Sequence, residues 1–237
     1  MTVLVAHESE VIREVIRRVV EAAGWHVEAV AEGRLASAAL ARRPAALVLD
    51  VALPDVHAFE LVEEARQKAP ETRVVLVASV YNRTGYKRRP TSLYGADDYV
   101  EQHHIPDSLV TKLERLIGAP PKTVPRVPAH SETVEGREIK EAAQHLLDPV
   151  PPRDGPEVVS RAERLAWLIV SDIALYNGAA LDGAKHLDDK DELEARLRMD
   201  LEEGRLLFDM RVPAQVRKQR DFIGEALERL RQERSRS

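Results

Sequence analysis

Five short runs rich in β-branched and aliphatic residues, separated by stretches of helical periodicity, fill the first 118 residues of the chain. The strand candidates are Val3 to Ala6, His26 to Val30, Ala46 to Asp50, Val74 to Ser79 and Asp98 to Val100. Between the first two, Val11, Val15, Arg18/Val19 and Ala22 fall at i, i+4, i+7/8 and i+11, the spacing of one helix face. Strands that are apolar throughout, such as Val74 to Ala78, suit a parallel sheet covered on both faces. Five βα units in this order predict a doubly wound α/β domain over residues 1–118. Its last helix opens at Pro106 and Asp107, runs to Ile117 and stops at Gly118.

The remainder divides by composition. Residues 119–156 hold eight of the fourteen prolines and read as an extended linker, with a short polar helix around Thr133 to Leu147. Residues 157–237 read as a small all-α domain. One helix follows Pro156, with Val158, Ala162, Leu165, Ile169 and Ile173 as its apolar stripe. A second runs from about Asp189 with Leu193, Leu197, Leu201 and Phe208 along one face, and a third follows Pro213 with Val216, Ile223, Leu227 and Leu230. Three such helices close a small bundle or complete a larger one as a homodimer. Asp172 lies in the apolar run Leu165 to Ile173 and needs a partner, for which Arg164 or an arginine of the tail would serve.

Composition removes several classes of function. There is no cysteine, which excludes disulfides, thiolate metal sites and a cysteine nucleophile. No run approaches the roughly 20 apolar residues of a membrane span. The first apolar run meets His7 and Glu8 before a signal-peptide core could form, so a cytoplasmic protein without membrane association is expected. A formal net charge of −5 gives no reason to expect nucleic acid as a partner. The basic tail is interleaved with Asp221, Glu225, Glu228 and Glu233 and reads as a solvated helix face. Helix-turn-helix, phosphate-loop, histidine-kinase and cyclase motifs are missing, so an enzyme is not expected.

In an open parallel sheet, function sits beyond the carboxyl ends of the strands. This sequence places His7 and Glu8 after strand one, Asp50 at the end of strand three, Ser79 at the end of strand four, and Glu101, Gln102 and His103 after strand five. The strings VLVAHESEVIR, AALVLDVALPDVHAFELVEEAR, VVLVAS and GADDYVEQHHIPDSL carry a resemblance. Residues 3–117 resemble the receiver domain of bacterial two-component response regulators, a flavodoxin-like, five-stranded parallel fold. The resemblance implies that Asp50 is the phosphoacceptor and that Glu8, Asp50 and the Ala52 carbonyl hold Mg²⁺. It implies that Ser79 hydrogen-bonds the phosphoryl group and that Tyr99 is the aromatic switch. A sensor histidine kinase or phosphotransfer protein would donate the phosphate, and a further protein partner would receive the signal. The chemistry suits these residue types: a carboxylate attacks phosphorus in line, and a divalent cation and a hydroxyl offset the charge that gathers.

The sequence departs from the family pattern at two site positions and at the residue after the second. His7 stands where the family has a first acid, and Gln102 stands where it has a lysine, bringing a hydrogen-bond donor but no charge. His103 replaces the proline that normally follows that lysine. Lys87, Arg88 and Arg89 offer substitute charge, in a segment with a poor helix pattern. These departures leave room for a second reading, a pseudo-receiver scaffold that binds partners without phosphorylation. His7 with Glu8 and Asp50 also makes a ligand set for a transition metal. His103 and His104 read as a solvated loop, since neighbouring side chains on a strand or loop end point apart and no third ligand is evident.

Overall fold

The structure is a computed structural model that describes residues 1–78, 90, 92–119, 156–177 and 190–234, together with 134, 137, 138 and 141. It separates into two compact units, one built on residues 1–78 and 93–119, the other on 156–177 and 190–234.

The first unit is a five-stranded parallel sheet. Its strands are β1 (Thr2–Ala6), β2 (His26–Val30), β3 (Ala46–Asp50), β4 (Arg73–Ala78) and β5 (Asp98–Glu101), in the order β2-β1-β3-β4-β5. The helices are α1 (Glu10–Ala23), α2 (Gly33–Leu40), α3 (Ala58–Lys68) and α4 (Ile105–Ile117). Alternation along the strands divides the core. Val3, Val5, Ala46, Val48, Val75, Val77 and Val100 pack with Ile12, Val15 and Ile16 of α1 and Ile105, Leu109 and Leu113 of α4. Leu4, Leu47, Leu49 and Leu76 point the other way, where α2 packs on β1 and α3 on α2. Strand order reverses between β1 and β3, so a crevice opens at their carboxyl ends.

Local chemistry sets the helix ends. The Ser9 side chain caps α1 by accepting from the Ile12 N–H, and Gly24, at φ 106°, turns the chain out of the helix. No side chain of its own caps α2. Asp55, the last residue of the D-x-x-L-P-D segment, does so from across the crevice, accepting from the N–H groups of Gly33 at 2.8 Å and Arg34 at 3.0 Å. The chain approaches closely here: a Cβ on Gly33 would lie 2.7 Å from the Val56 Cβ. Burial alone would raise the Asp55 carboxyl, but the Arg34 and Gly33 N–H groups and the Arg34 charge outweigh it and hold it below the usual carboxylate range.

Asp97 is a second structural carboxylate. It accepts from the Val74 N–H at 2.7 Å, from Arg66 at 2.7 Å and from Arg73 at 3.0 Å, tying β4 to the approach of β5. Asp98 next to it is paired with Lys112 and Arg115 of α4. Glu138, in the stretch expected to be linker, pairs with Arg18 of α1.

The second unit is all-helical, with α5 (Pro156–Tyr176), α6 (Lys190–Arg196), α7 (Arg198–Arg211), α8 (Ala214–Arg217) and α9 (Phe222–Arg234). The expected stripes are buried, among them Val158, Ala162, Leu165, Ile169, Leu193, Leu201, Phe208 and Leu227. Two expected helices are each broken in two. The second breaks at Leu197, whose backbone (φ −97°, ψ 7°) leaves the helical region, although its side chain stays buried in the stripe. The third stops after Arg217 and restarts at Phe222, where Asp221 accepts from the Gly224 N–H at 3.0 Å as a new cap. Asp172 is fully buried, as is Ser171 beside it. Gly204 lets α7 approach α5: a Cβ there would lie 2.7 Å from the Ile169 Cγ2. No helix among the described residues is long and apolar enough to cross a membrane.

Candidate functional site

Asp50 ends β3 and is buried at 2% exposure. The Ala52 N–H donates to its Oδ1 at 2.9 Å, which fixes the carboxylate plane. Its other oxygen, Oδ2, accepts no hydrogen bond from the described residues and faces the His7 Nδ1 at 3.6 Å, too far for one. His7 and Glu8 follow β1 at the same end of the neighbouring strand, and the Glu8 Oε2 is buried. The strand ends thus bring His7, Glu8, Asp50 and Ala52 to the crevice where the strand order reverses.

The His7 ring is fully enclosed, at 2% exposure. The Ser9 N–H donates to its Nδ1 at 3.0 Å, so a neutral ring carries its proton on Nε2. The Gln102 amide, at 2% exposure, meets that nitrogen with its Nε2 3.2 Å away. Gln102 Oε1 is buried with no hydrogen-bond partner. A half-turn of the amide about its last torsion brings this oxygen to the His7 Nε2–H and satisfies both groups. The side chain that stands in the lysine position is therefore engaged by the ring that stands in the first acid position.

Sequence reasoning passed over two contributors. The backbone N–H of Ser9 sets the His7 tautomer. Arg13, one turn into α1, donates to the carbonyls of His7 at 2.6 Å and Glu8 at 2.5 Å, pinning the loop that presents both side chains. The capping pattern at Ser9 marks the start of α1, but nothing in the spacing shows the guanidinium turning back. Tyr99 lies in β5 opposite Leu76 and is half-buried, with the Lys112 ammonium 5.7 Å from its ring centre. Ser79, Lys87, Arg88 and Arg89 lie outside the described residues.

The loop expectation for His103 and His104 is corrected. Gln102–His104 form a 3₁₀ turn between β5 and α4, and β5 itself runs on through Glu101. The turn brings one ligand atom each of Glu101, His103 and His104 within 4.8 Å of one another. The two imidazoles come together with ring centres 3.8 Å apart, and the His103 Nδ1 lies 3.5 Å from the Glu101 Oε2. A third potential ligand is therefore present.

A doubly wound parallel sheet with an acidic crevice at its strand-order reversal defines the class. Residues 3–114 match the family model of the response regulator receiver domain, and this part of the chain is such a domain. The chain is 23% identical over 148 residues to the transcriptional regulatory protein CssR of Bacillus subtilis, covering 62% of this chain and 64% of that protein. It is 38% identical over 103 residues to a protein-glutamate methylesterase/protein-glutamine glutaminase of Anaeromyxobacter dehalogenans, covering 42% of this chain and 29% of the relative. The chain thus spans less than two thirds of either relative. Among solved structures, the receiver domain of the sensor histidine kinase PA1611 from Pseudomonas aeruginosa, with magnesium in its active-site cleft, is 21% identical, with a TM-score of 0.43 over 50% of this chain and 98% of that one.

Proposed function

We propose that this chain is a two-component signalling protein whose receiver accepts a phosphoryl group on Asp50 from a histidine kinase or phosphotransfer protein. The observation that carries the reading is the Asp50 carboxylate: Oδ1 is held by the Ala52 N–H at 2.9 Å while Oδ2 takes no hydrogen bond from the described residues. Oδ2 is the nucleophile. It attacks the phosphorus of a donor phosphohistidine, the O–P bond forms as the P–N bond breaks, and the donor imidazole leaves with the electron pair and takes up a proton. The product is an acyl phosphate on Asp50.

The donor set suits a hard divalent cation. Glu8 and Asp50 supply carboxylate oxygens and Ala52 a carbonyl, and Mg²⁺ keeps water in its remaining positions. When bound, Mg²⁺ neutralises charge on the phosphoryl oxygens. The residues of the chain do the rest. The Ala52 N–H orients the nucleophile, and Arg13 holds the Glu8 loop. Gln102 positions His7 beside Asp50 in place of the usual acid and lysine. Ser79 and Tyr99 are assigned the roles of phosphoryl hydrogen-bond donor and switch. Nothing in this scheme turns over a substrate, so we assign the chain a signalling role and not an enzymatic one.

The helical unit is assigned to protein contact, including contact with a second copy. Met199, Leu206 and Met210 support this: all three are exposed, and their spacing puts them on one face of α7. Sedimentation of the full chain should show a dimer that Met199→Glu with Met210→Glu disperses; a monomer at all micromolar concentrations contradicts this assignment.

Beryllofluoride, a mimic of the acyl phosphate, tests the receiver reading. In Mg²⁺, the amide resonances of Ala52 and Gln102 should shift saturably, and Asp50→Asn should abolish the shift. No response in millimolar Mg²⁺ would leave the pseudo-receiver scaffold as the account.

A further inference from the structure

We propose a second metal site, for Zn²⁺, formed by Glu101, His103 and His104 on the turn between β5 and α4. One ligand atom from each of the three residues lies within 4.8 Å of the others. A tetrahedral zinc ion with bonds near 2.0–2.1 Å places its ligand atoms about 3.3 Å apart. The cluster must therefore close by up to about 1.5 Å, and the His104 ring, which is exposed, has the freedom to do it. Glu101 is the fixed member, at 8% exposure on the end of β5, and the half-buried His103 already faces it.

Backbone geometry makes the site. The 3₁₀ turn Gln102–His104 follows directly on Glu101, His103 faces the Glu101 carboxylate at 3.5 Å, and the two imidazoles pack with ring centres 3.8 Å apart. Two imidazole nitrogens and one carboxylate oxygen form a borderline donor set, which selects zinc over magnesium or calcium. Three protein ligands leave a fourth position for water or for a side chain of another protein.

The site is separate from the Asp50 crevice, yet it encloses the residue that reaches into it. Gln102 lies between Glu101 and His103 in the chain, and its side chain meets His7. A cation held by the flanking residues would clamp the turn and so fix the Gln102 amide.

The test is a Zn²⁺ titration of the full chain against a chromophoric chelator, with the resonances of Gln102 followed in parallel. One equivalent should bind, with an affinity that falls about tenfold or more in His104→Ala and in His103→Gln. Asp50→Asn should bind Zn²⁺ as the parent does. Since His104 is exposed, its replacement leaves the core intact, and a circular dichroism spectrum checks that. Absence of stoichiometric binding overturns the proposal. So does undiminished binding by both histidine variants, or a loss confined to Asp50→Asn, which would place the ion in the crevice.

Discussion

The His7 Nε2 lies 3.2 Å from the Gln102 amide nitrogen, so two residues 95 positions apart, at the ends of β1 and β5, share one buried contact. They are two of the positions at which the chain departs from the receiver pattern. Their contact makes the departures a single coupled change: an imidazole and an amide replace an acid and a lysine, and each satisfies the other.

Coupling of this kind is measurable. His7→Asp restores a carboxylate beside Glu8 and leaves Gln102 facing it; Gln102→Lys buries an ammonium against an imidazole. Each single change should weaken beryllofluoride binding in Mg²⁺, and the double change should recover it. The interaction energy of the cycle should fall in the range of about 0.5–3 kcal/mol expected for residues in contact. Additive effects would mean that the two side chains act separately.

Asp55 should matter for stability and not for phosphoryl chemistry, because its carboxylate is spent on the N–H groups of Gly33 and Arg34. Asp55→Ala should lower the stability of the receiver by about 1–2 kcal/mol, as loss of a helix cap does. Gly33→Ala should cost about 1–3 kcal/mol through overpacking against Val56. Urea unfolding followed by circular dichroism checks both, and a neutral Gly33→Ala would contradict the close approach.

Acid should unfold the receiver partly through Asp97. Burial alone would raise this carboxyl, but the Val74 N–H and the Arg66 and Arg73 guanidiniums outweigh it and hold its pKa below the ordinary value. The folded state therefore binds its proton less readily than the unfolded state. The stability Asp97 contributes is complete above the unfolded pKa of about 4 and is lost as pH falls through the lower folded value. Asp97→Asn should reduce stability at neutral pH and flatten its decline below about pH 4. Urea midpoints measured across that window check the slope; parallel curves for parent and variant would contradict it.

Gly204→Ala should destabilise the helical unit by about 1–3 kcal/mol, because the added methyl meets Ile169 of α5. Thermal unfolding monitored at Trp167, buried in α5, reads this directly. An unchanged midpoint would show that α7 has room to move.

Much of this molecule is legible in its sequence, and the limits follow from physics. Apolar strands are local patterns, so β1 and β3 are readable from spacing alone. The face of α1 was read one position off, because Val11 and Ala22 are exposed and Ile12, Val15, Ile16, Val19 and Val20 form the buried face. The strand ends then locate Glu8 and Asp50, because sheet topology and not distant contact brings them together. The His7 and Gln102 contact depends on how two loops 95 residues apart settle, which no local pattern encodes. The breaks at Leu197 and after Arg217 were hidden because the apolar stripe continues in register across them. His103 and His104 were misread because two neighbours diverge on a strand, whereas here they sit in a 3₁₀ turn with their ring centres 3.8 Å apart.

The central claim is that the Asp50 carboxylate accepts a phosphoryl group. Incubation of the full chain with acetyl phosphate and Mg²⁺, followed by borohydride reduction and peptide mass analysis, tests it most directly. The account predicts reductive labelling at Asp50, absent in Asp50→Asn and absent without phosphodonor. Labelling at another carboxylate, or none under conditions that label a known receiver, would contradict it.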